Sequence, residues 1–111
     1  NTVTLEVRSL ADLLADFYKL EIEVGSDARI SFASDELLWK VLSAKRWAIL
    51  KSTTGCGPLP LREIARRVER DVKAVHADVH ALLKPGLIQR RDDGFLFPYD
   101  SVHVDFLLKA A

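Results

Sequence analysis

The stretch that decides the fold is LREIARRVERDVKAVHADVHALLKPGLIQRRDDGFLF, residues 61–97. It opens just after Pro60 with a short helical pattern over 61–68, followed by the polar turn Glu69-Arg70-Asp71. Asp71 is placed to cap a second helix over 72–84, and Val72, Val75, Val79, Leu82 and Leu83 supply its inward face at helical spacing. Pro85-Gly86 stops that helix, glycine being suited to the left-handed backbone on which helices end. Residues 87–91, the turn Asp92-Asp93-Gly94 and the return Phe95-Leu96-Phe97 then read as a β-hairpin, since Asp-Gly between apolar runs favours a tight reversal.

Upstream, Ser34 caps a helix whose first turn holds Asp35 and Glu36. Its apolar positions Leu37, Leu38, Val41, Leu42, Ala48, Ile49 and Leu50 predict one continuous element, with Trp39 and Trp47 at the edges of the stripe. TTGCGP, residues 53–58, ends it. At the start of the chain, Val3, Leu5 and Val7 alternate with polar residues, which predicts a strand over 2–8. Ser9 and Asp12 form a loose capping box that opens an amphipathic helix over 9–22, with Leu10, Leu13, Leu14, Phe17 and Leu20 on one stripe. Gly25-Ser26-Asp27 breaks it, and Ile30 and Phe32 suggest a small strand. Val102, Val104, Phe106 and Leu108 alternate as a last strand over 102–108, which could pair with 2–8 within one chain or across a two-fold axis. The order helix, short helix, polar turn, helix, hairpin predicts an α+β fold. It is a winged helix-turn-helix over 34–111, with a C-terminal strand and a strand-helix extension over 1–33 for dimerisation or partner docking.

The chain of 111 residues is long enough for one modest core. Hydrophobic residues make up 49% and charged residues 29%, a globular rather than a disordered composition. No apolar run is long enough for a membrane span, and Cys56 is the only cysteine, so no internal disulfide can form and a cytoplasmic location is expected. The sequence starts at Asn1 and contains no methionine, so its native start is expected to be missing. Net charge is zero, but residues 1–33 carry 3 basic and 6 acidic side chains, whereas residues 62–91 carry 8 basic and 4 acidic. An acidic end and a basic middle speak to partners rather than to fold.

The basic excess falls where a helix pair and its wing would face a nucleic acid. The second helix of such a pair fits the major groove, which needs an outer face free of bulk and acid. Lys73, Ala74, His76, Ala77 and His80 offer that face: the alanines permit close approach, and Lys73, His76 and His80 can meet base edges or phosphates. Asp78 is the odd member, placed either to pair with a neighbouring arginine or to accept from cytosine. Arg62, Arg66, Arg67 and Arg70 lie on the preceding helix and turn, within reach of phosphates, unless Arg66 and Arg67 pair with Glu63 or Glu69. Arg90 and Arg91 lie on the wing's first strand, and because neighbours on a strand point to opposite faces only one of them is expected to enter the minor groove.

The segments ISFASDELLWKVLSAKRWAIL and LREIARRVERDVKAVHADVHALLKPGLIQRRDDGFLFPYDSVHVDF resemble a family of small bacterial and archaeal DNA-binding proteins. These are winged-helix regulators of the multiple-antibiotic-resistance-regulator type, several of which act as antitoxins. The resemblance covers about residues 30–106, and LLWKVLSAKRW, DVKAVHADVHALL and FPYD are its specific parts. It implies that Lys73, His76, Ala77 and His80 read DNA and that a small toxin is a possible partner. In that reading the acidic amphipathic helix, through Leu13, Leu14, Phe17 and Tyr18, docks on the toxin, unless it packs on the core or on a second subunit.

The expected function is therefore that of a sequence-specific regulator of double-stranded DNA, an autorepressing antitoxin. It would be a homodimer matched to a palindromic operator. The alternative is a winged-helix protein-interaction module that does not touch DNA, for which the neutral net charge speaks. No enzymatic role is expected, because nothing beside Cys56 supplies a base. No cofactor and no metal are expected either. His76 and His80 stand four apart on one helix and His103 lies elsewhere, but the pair lacks the glutamate of HExxH and a cysteine partner.

Overall fold

The computed structural model describes residues 1–12, 14 and 28–105. The fold is mixed α+β. In chain order the elements are β1 (Thr2–Val7), β2 (Arg29–Phe32), α1 (Asp35–Val41), α2 (Ala44–Thr53), α3 (Leu61–Val68), α4 (Val72–Leu83), β3 (Gln89–Arg91), β4 (Gly94–Leu96) and β5 (Ser101–Asp105). They fall into two compact units, Asn1–Lys40 with Ser101–Ala111, and Val41–Asp100. No helix among the described residues is long and apolar enough to cross a membrane.

In the first unit β1 is the central strand of a three-stranded sheet, with β2 and β5 both parallel to it. Val3 and Leu5 are fully buried on one face. Thr2, Thr4 and Glu6 take the other, as strand alternation requires. Glu6 is 7% exposed. Its carboxylate is satisfied by β2, accepting from Arg29 Nη1 at 2.9 Å and from Ser31 Oγ at 2.9 Å. After β1 the expected capping box forms: the Ser9 N–H donates to Asp12 Oδ2 at 3.3 Å and the Asp12 N–H to Ser9 Oγ at 3.1 Å. Leu14 is 46% exposed. Most of the helix expected over 9–22, including Leu13, Phe17 and Tyr18, lies outside the described residues.

The two terminal strands pair within one chain, Thr2 opposite Ser101 and Glu6 opposite Asp105. This pairing places β5 with the N-terminal residues, whereas a division at residue 33 would assign it to the wing domain. Of the last strand expected over 102–108, residues 106–108 lie outside the described part.

The helix expected to run unbroken from Ser34 to Leu50 is two helices. Ser34 caps α1, its Oγ accepting from the Leu37 N–H at 3.2 Å. Ser43 then takes extended backbone (φ −81°, ψ 167°) and caps α2, accepting from the Arg46 N–H at 3.2 Å. Arg46 Nη1 donates back to the Val41 carbonyl at 3.1 Å, so an acceptor at the end of α1 is also satisfied.

In the second unit α2, α3 and α4 enclose a core of Ile49, Leu50, Ile64, Ala65, Val75, Val79, Leu82, Leu87 and Ile88. The hairpin pairs Gln89 with Leu96, Arg90 with Phe95 and Arg91 with Gly94. Leu87 and Ile88, expected as its first strand residues, are buried ahead of it. Leu59 bridges to the other edge of β4: its N–H donates to the Phe95 carbonyl at 2.9 Å and the Phe95 N–H donates to the Leu59 carbonyl at 2.8 Å. This bridge ties the hairpin to the residue just before Pro60, the N-cap of α3.

Gly94 permits the approach. Its φ is +145°, and a Cβ there would stand 2.4 Å from the Leu59 carbonyl oxygen. Gly94→Ala is expected to lower the free energy of unfolding by about 1–3 kcal/mol, measured by chemical denaturation, because the obstacle is backbone rather than a flexible side chain.

Candidate nucleic-acid interface

Helix α4 has two distinct faces. Asp71 starts it, its carboxylate accepting from the Lys73 N–H at 3.1 Å. Val75, Val79 and Leu82 are fully buried. Val72, expected to point inward, is 40% exposed, and Leu83 is half-buried. At about 100° per residue both fall to one side of the stripe that the other three define. Lys73, Ala74, His76 and Ala77 are exposed and His80 is half-buried, so the expected outer face is assembled.

Asp78 lies on the opposite flank of that stripe and is taken up by two arginines. Arg46 Nε, from α2, donates to Oδ1 at 2.9 Å. Arg70 Nη1, from the turn between α3 and α4, forms an ion pair with Oδ2 at 2.7 Å. Burial pushes the Asp78 carboxyl up, but the hydrogen bonds and charges of Arg46 and Arg70 outweigh it and hold the group below its ordinary range. Arg70, expected among the phosphate contacts, is thus committed inside the protein, its side chain 20% exposed.

Arg62, Arg66 and Arg67 are exposed on α3. Glu63 binds two of them, accepting from Arg66 Nε at 2.9 Å, from Arg66 Nη2, and from Arg67 Nε at 3.0 Å. The hydrogen bonds from Arg66 and then Arg67 lower the Glu63 carboxyl to about 2, so it stays ionised at any physiological pH. Arg67 is further engaged, Nη1 donating to the Ser52 carbonyl at 3.0 Å and lying 3.1 Å from Cys56 Sγ. Of these cations Arg66 keeps the freer side chain, 71% exposed against 32% for Arg67.

α3 ends at Glu69, which adopts left-handed backbone (φ 55°, ψ 48°) and turns the chain into α4. On the hairpin, Arg90 and Arg91 are both exposed. The Arg90 guanidinium sits 6.0 Å from the centroid of Phe95, its cross-strand partner, and Arg91 Nη2 donates to Gln89 Oε1 at 2.5 Å. The two arginines, with Pro60, Leu61, Asp93 and Phe95, line an open groove of about 750 Å³. α3 begins on the wall of this groove, and its N-cap Pro60 makes no side-chain capping bond.

The family model of HVO_A0114 matches residues 41–104, more than half of the chain. The chain belongs to the HVO_A0114 family. No curated protein and no solved structure matches it. The HVO_A0114 match covers α2, α3, α4, the hairpin and all but the last residue of β5, and so includes every described residue of the outer face and its ion pairs.

Residue by residue, the structure brings Lys73, Ala74, His76, Ala77 and His80 onto one face, leaves Arg62, Arg90 and Arg91 exposed, and withdraws Arg70. The residue that sequence reasoning missed is Arg46, whose only signal is an unmatched acid, Asp78, on a helix flank 32 residues away. Replacing Asp78 with asparagine removes the charge that Arg46 and Arg70 share in a partly dry site, and should lower stability at pH 7 by about 1–3 kcal/mol. The folded pKa lies below the unfolded one of about 3.9, so this contribution is complete above that value and disappears as pH falls through the folded pKa. Denaturation of the native chain and the Asp78→Asn variant should therefore give stabilities that converge in acid.

Proposed function

We propose that this protein is a sequence-specific double-stranded-DNA-binding regulator of transcription. In this reading α3 and α4 act as a helix-turn-helix and β3–β4, with Leu59, acts as the wing. One observation carries it: the outer face of α4 is exposed, small and free of acid, because the one carboxylate on that helix is consumed by Arg46 and Arg70. An α-helix with such a face fits the major groove, where base edges are distinguishable. Lys73, His76 and His80 would meet bases, with Ala74 and Ala77 allowing the approach. Arg62, Arg66 and the uncapped start of α3 would hold phosphates, which position a duplex without reading it. Autorepression and a toxin partner are further parts of the resemblance. The residues that would dock a toxin lie, apart from Leu14, outside the described part.

The test is fluorescence anisotropy with the duplex upstream of the protein's own coding region and a scrambled duplex, each at two salt concentrations. Upstream DNA should bind more tightly, with a log–log salt slope of about 0.9 per phosphate contact. Lys73→Ala should cost about 1–3 kcal/mol on the upstream duplex and little on the scramble, whereas Arg62→Ala should weaken both alike. Equal, weak binding to both duplexes at low salt overturns the reading and favours a protein-interaction module.

Glu63 makes a second, opposite prediction. It neutralises Arg66 and part of Arg67, so Glu63→Gln should free a phosphate contact. Affinity for both duplexes should rise and the salt slope should steepen by about one contact. A slope unchanged from the native chain would remove Arg66 from the interface.

A further inference from the structure

We infer that the edge of β5 facing away from β1 pairs antiparallel with the same edge of a second copy of this chain, about a two-fold axis at His103. The hydrogen bonds of the sheet say which groups that edge presents. The Thr4 N–H donates to the Ala28 carbonyl at 2.9 Å and the Arg8 N–H to the Phe32 carbonyl at 2.9 Å, so the even-numbered residues of β1 face β2. Successive residues of a strand turn their N–H and C=O groups to opposite edges, so Val3 and Leu5 face β5. They stand opposite Val102 and Val104 in a parallel ladder. Such a ladder bonds each of them to the neighbours of its partner, Ser101 and His103 for Val3, His103 and Asp105 for Leu5. The N–H and C=O groups of Val102 and Val104 therefore point away from β1. Among the described residues no strand pairs with that edge. Nor does β5, with the sequence SVHVD, hold the proline or lysine that commonly blunts an exposed edge.

The edge is complementary to itself. A two-fold axis through His103, normal to the sheet, sets Val102 opposite Val104 of the second copy and Val104 opposite its Val102, so the outward groups of both valines are satisfied at once. A register shifted by two residues opposes only one valine to a valine. The rotation keeps the apolar face on one side of the sheet in both copies. On that face Val3 and Leu5 are fully buried, whereas Val102 and Val104 are only half-buried and would cover each other across the axis. On the polar face Asp105 meets Ser101 of the second copy, and the two Asp105 carboxylates stay four residues apart along the strands, about 13 Å at about 3.3 Å per residue. The other edge strand, β2, is less suited. The same reasoning turns its Arg29 and Ser31 outward, and a two-fold pairing through both would bring the half-exposed Arg29 of each copy to diagonal positions about 7–8 Å apart, within reach of long like-charged side chains. The inference does not depend on the DNA reading, and its test uses no DNA.

The experiment is sedimentation equilibrium of the full chain at about pH 7.5, where imidazoles are mostly neutral, from about 1 μM to about 1 mM. Five residues a side make a small interface, so association is expected to be weak, with the mean mass rising from 12.5 kDa towards twice that value as concentration increases. Val104→Pro removes an outward N–H and no bond to β1, and should weaken association by at least about tenfold, since each dimer loses that hydrogen bond on both sides of the axis. His103→Lys and His103→Glu each set like charges opposite one another on an exposed position and should each weaken it by about fivefold. Mixing these last two variants should restore pairing, because opposite charges then face each other; circular dichroism checks that all three variants fold. A native chain that stays at 12.5 kDa throughout overturns the inference. So does a native dimer that Val104→Pro leaves intact, or a mixture of the two charged variants that pairs no better than either alone.

Discussion

The Asp78 carboxylate is the contact on which the geometry of the second unit turns. Val75, Val79 and Leu82 decide which face of α4 goes inward, but apolar burial is non-directional and leaves a helix free to rotate or slide by small amounts. An ion pair has a distance and a direction. Arg46 reaches Asp78 from α2 and Arg70 reaches it from the turn after α3, so three elements are referred to one pair of oxygens. The cost of drying these charges is offset only while both partners are present. The same contact determines what remains outside: it removes the one acid of α4 from solvent and leaves lysine, histidine and alanine on the outer face.

The parts legible in the sequence are those with local causes. The capping pair Ser9 and Asp12, the cap Asp71, the stop after Leu83 and the reversal at Asp92-Asp93 each act over a few residues and are found where their residue types put them, although Gly94, expected in the turn, already pairs with Arg91 as the first residue of β4. The break at Leu42-Ser43 was hidden because apolar periodicity runs across it. Ser43 reads as one more polar helix position until Arg46 is seen to satisfy the end of the preceding helix. The Leu59 bridge was hidden for another reason: a single bridging residue has no periodicity. Gly94 was legible as a turn residue, but its second duty, admitting the Leu59 backbone, depends on a contact 35 residues away in sequence.

Charge was the least legible quantity, because a cation's availability depends on the acids it meets. Glu63 stands three and four residues before Arg66 and Arg67, so their pairing follows from helix spacing alone. Arg46 and Arg70 converge on Asp78 only once the helices are packed. In the first unit Glu6 repeats the pattern, its carboxylate held by Arg29 and Ser31 across the sheet. A formal balance of zero therefore says little about what a partner meets, since several of the charges it counts face each other.

The hairpin shows what this means for approach. Its tip is Asp92-Asp93, two exposed carboxylates that a phosphate backbone would repel. Arg90 leans over Phe95 and Arg91 turns to Gln89, so both cations lie along the strands behind that tip. A wing that enters a minor groove tip first would lead with its acids. A duplex seated on α4 would instead meet the side of the hairpin, where Arg90 and Arg91 share with Asp92 and Asp93 the groove at whose wall α3 begins. Under the proposed DNA reading, the hairpin would offer phosphates only Arg90 and Arg91 beside two acids, and sequence discrimination would fall to the short face of Lys73, His76 and His80.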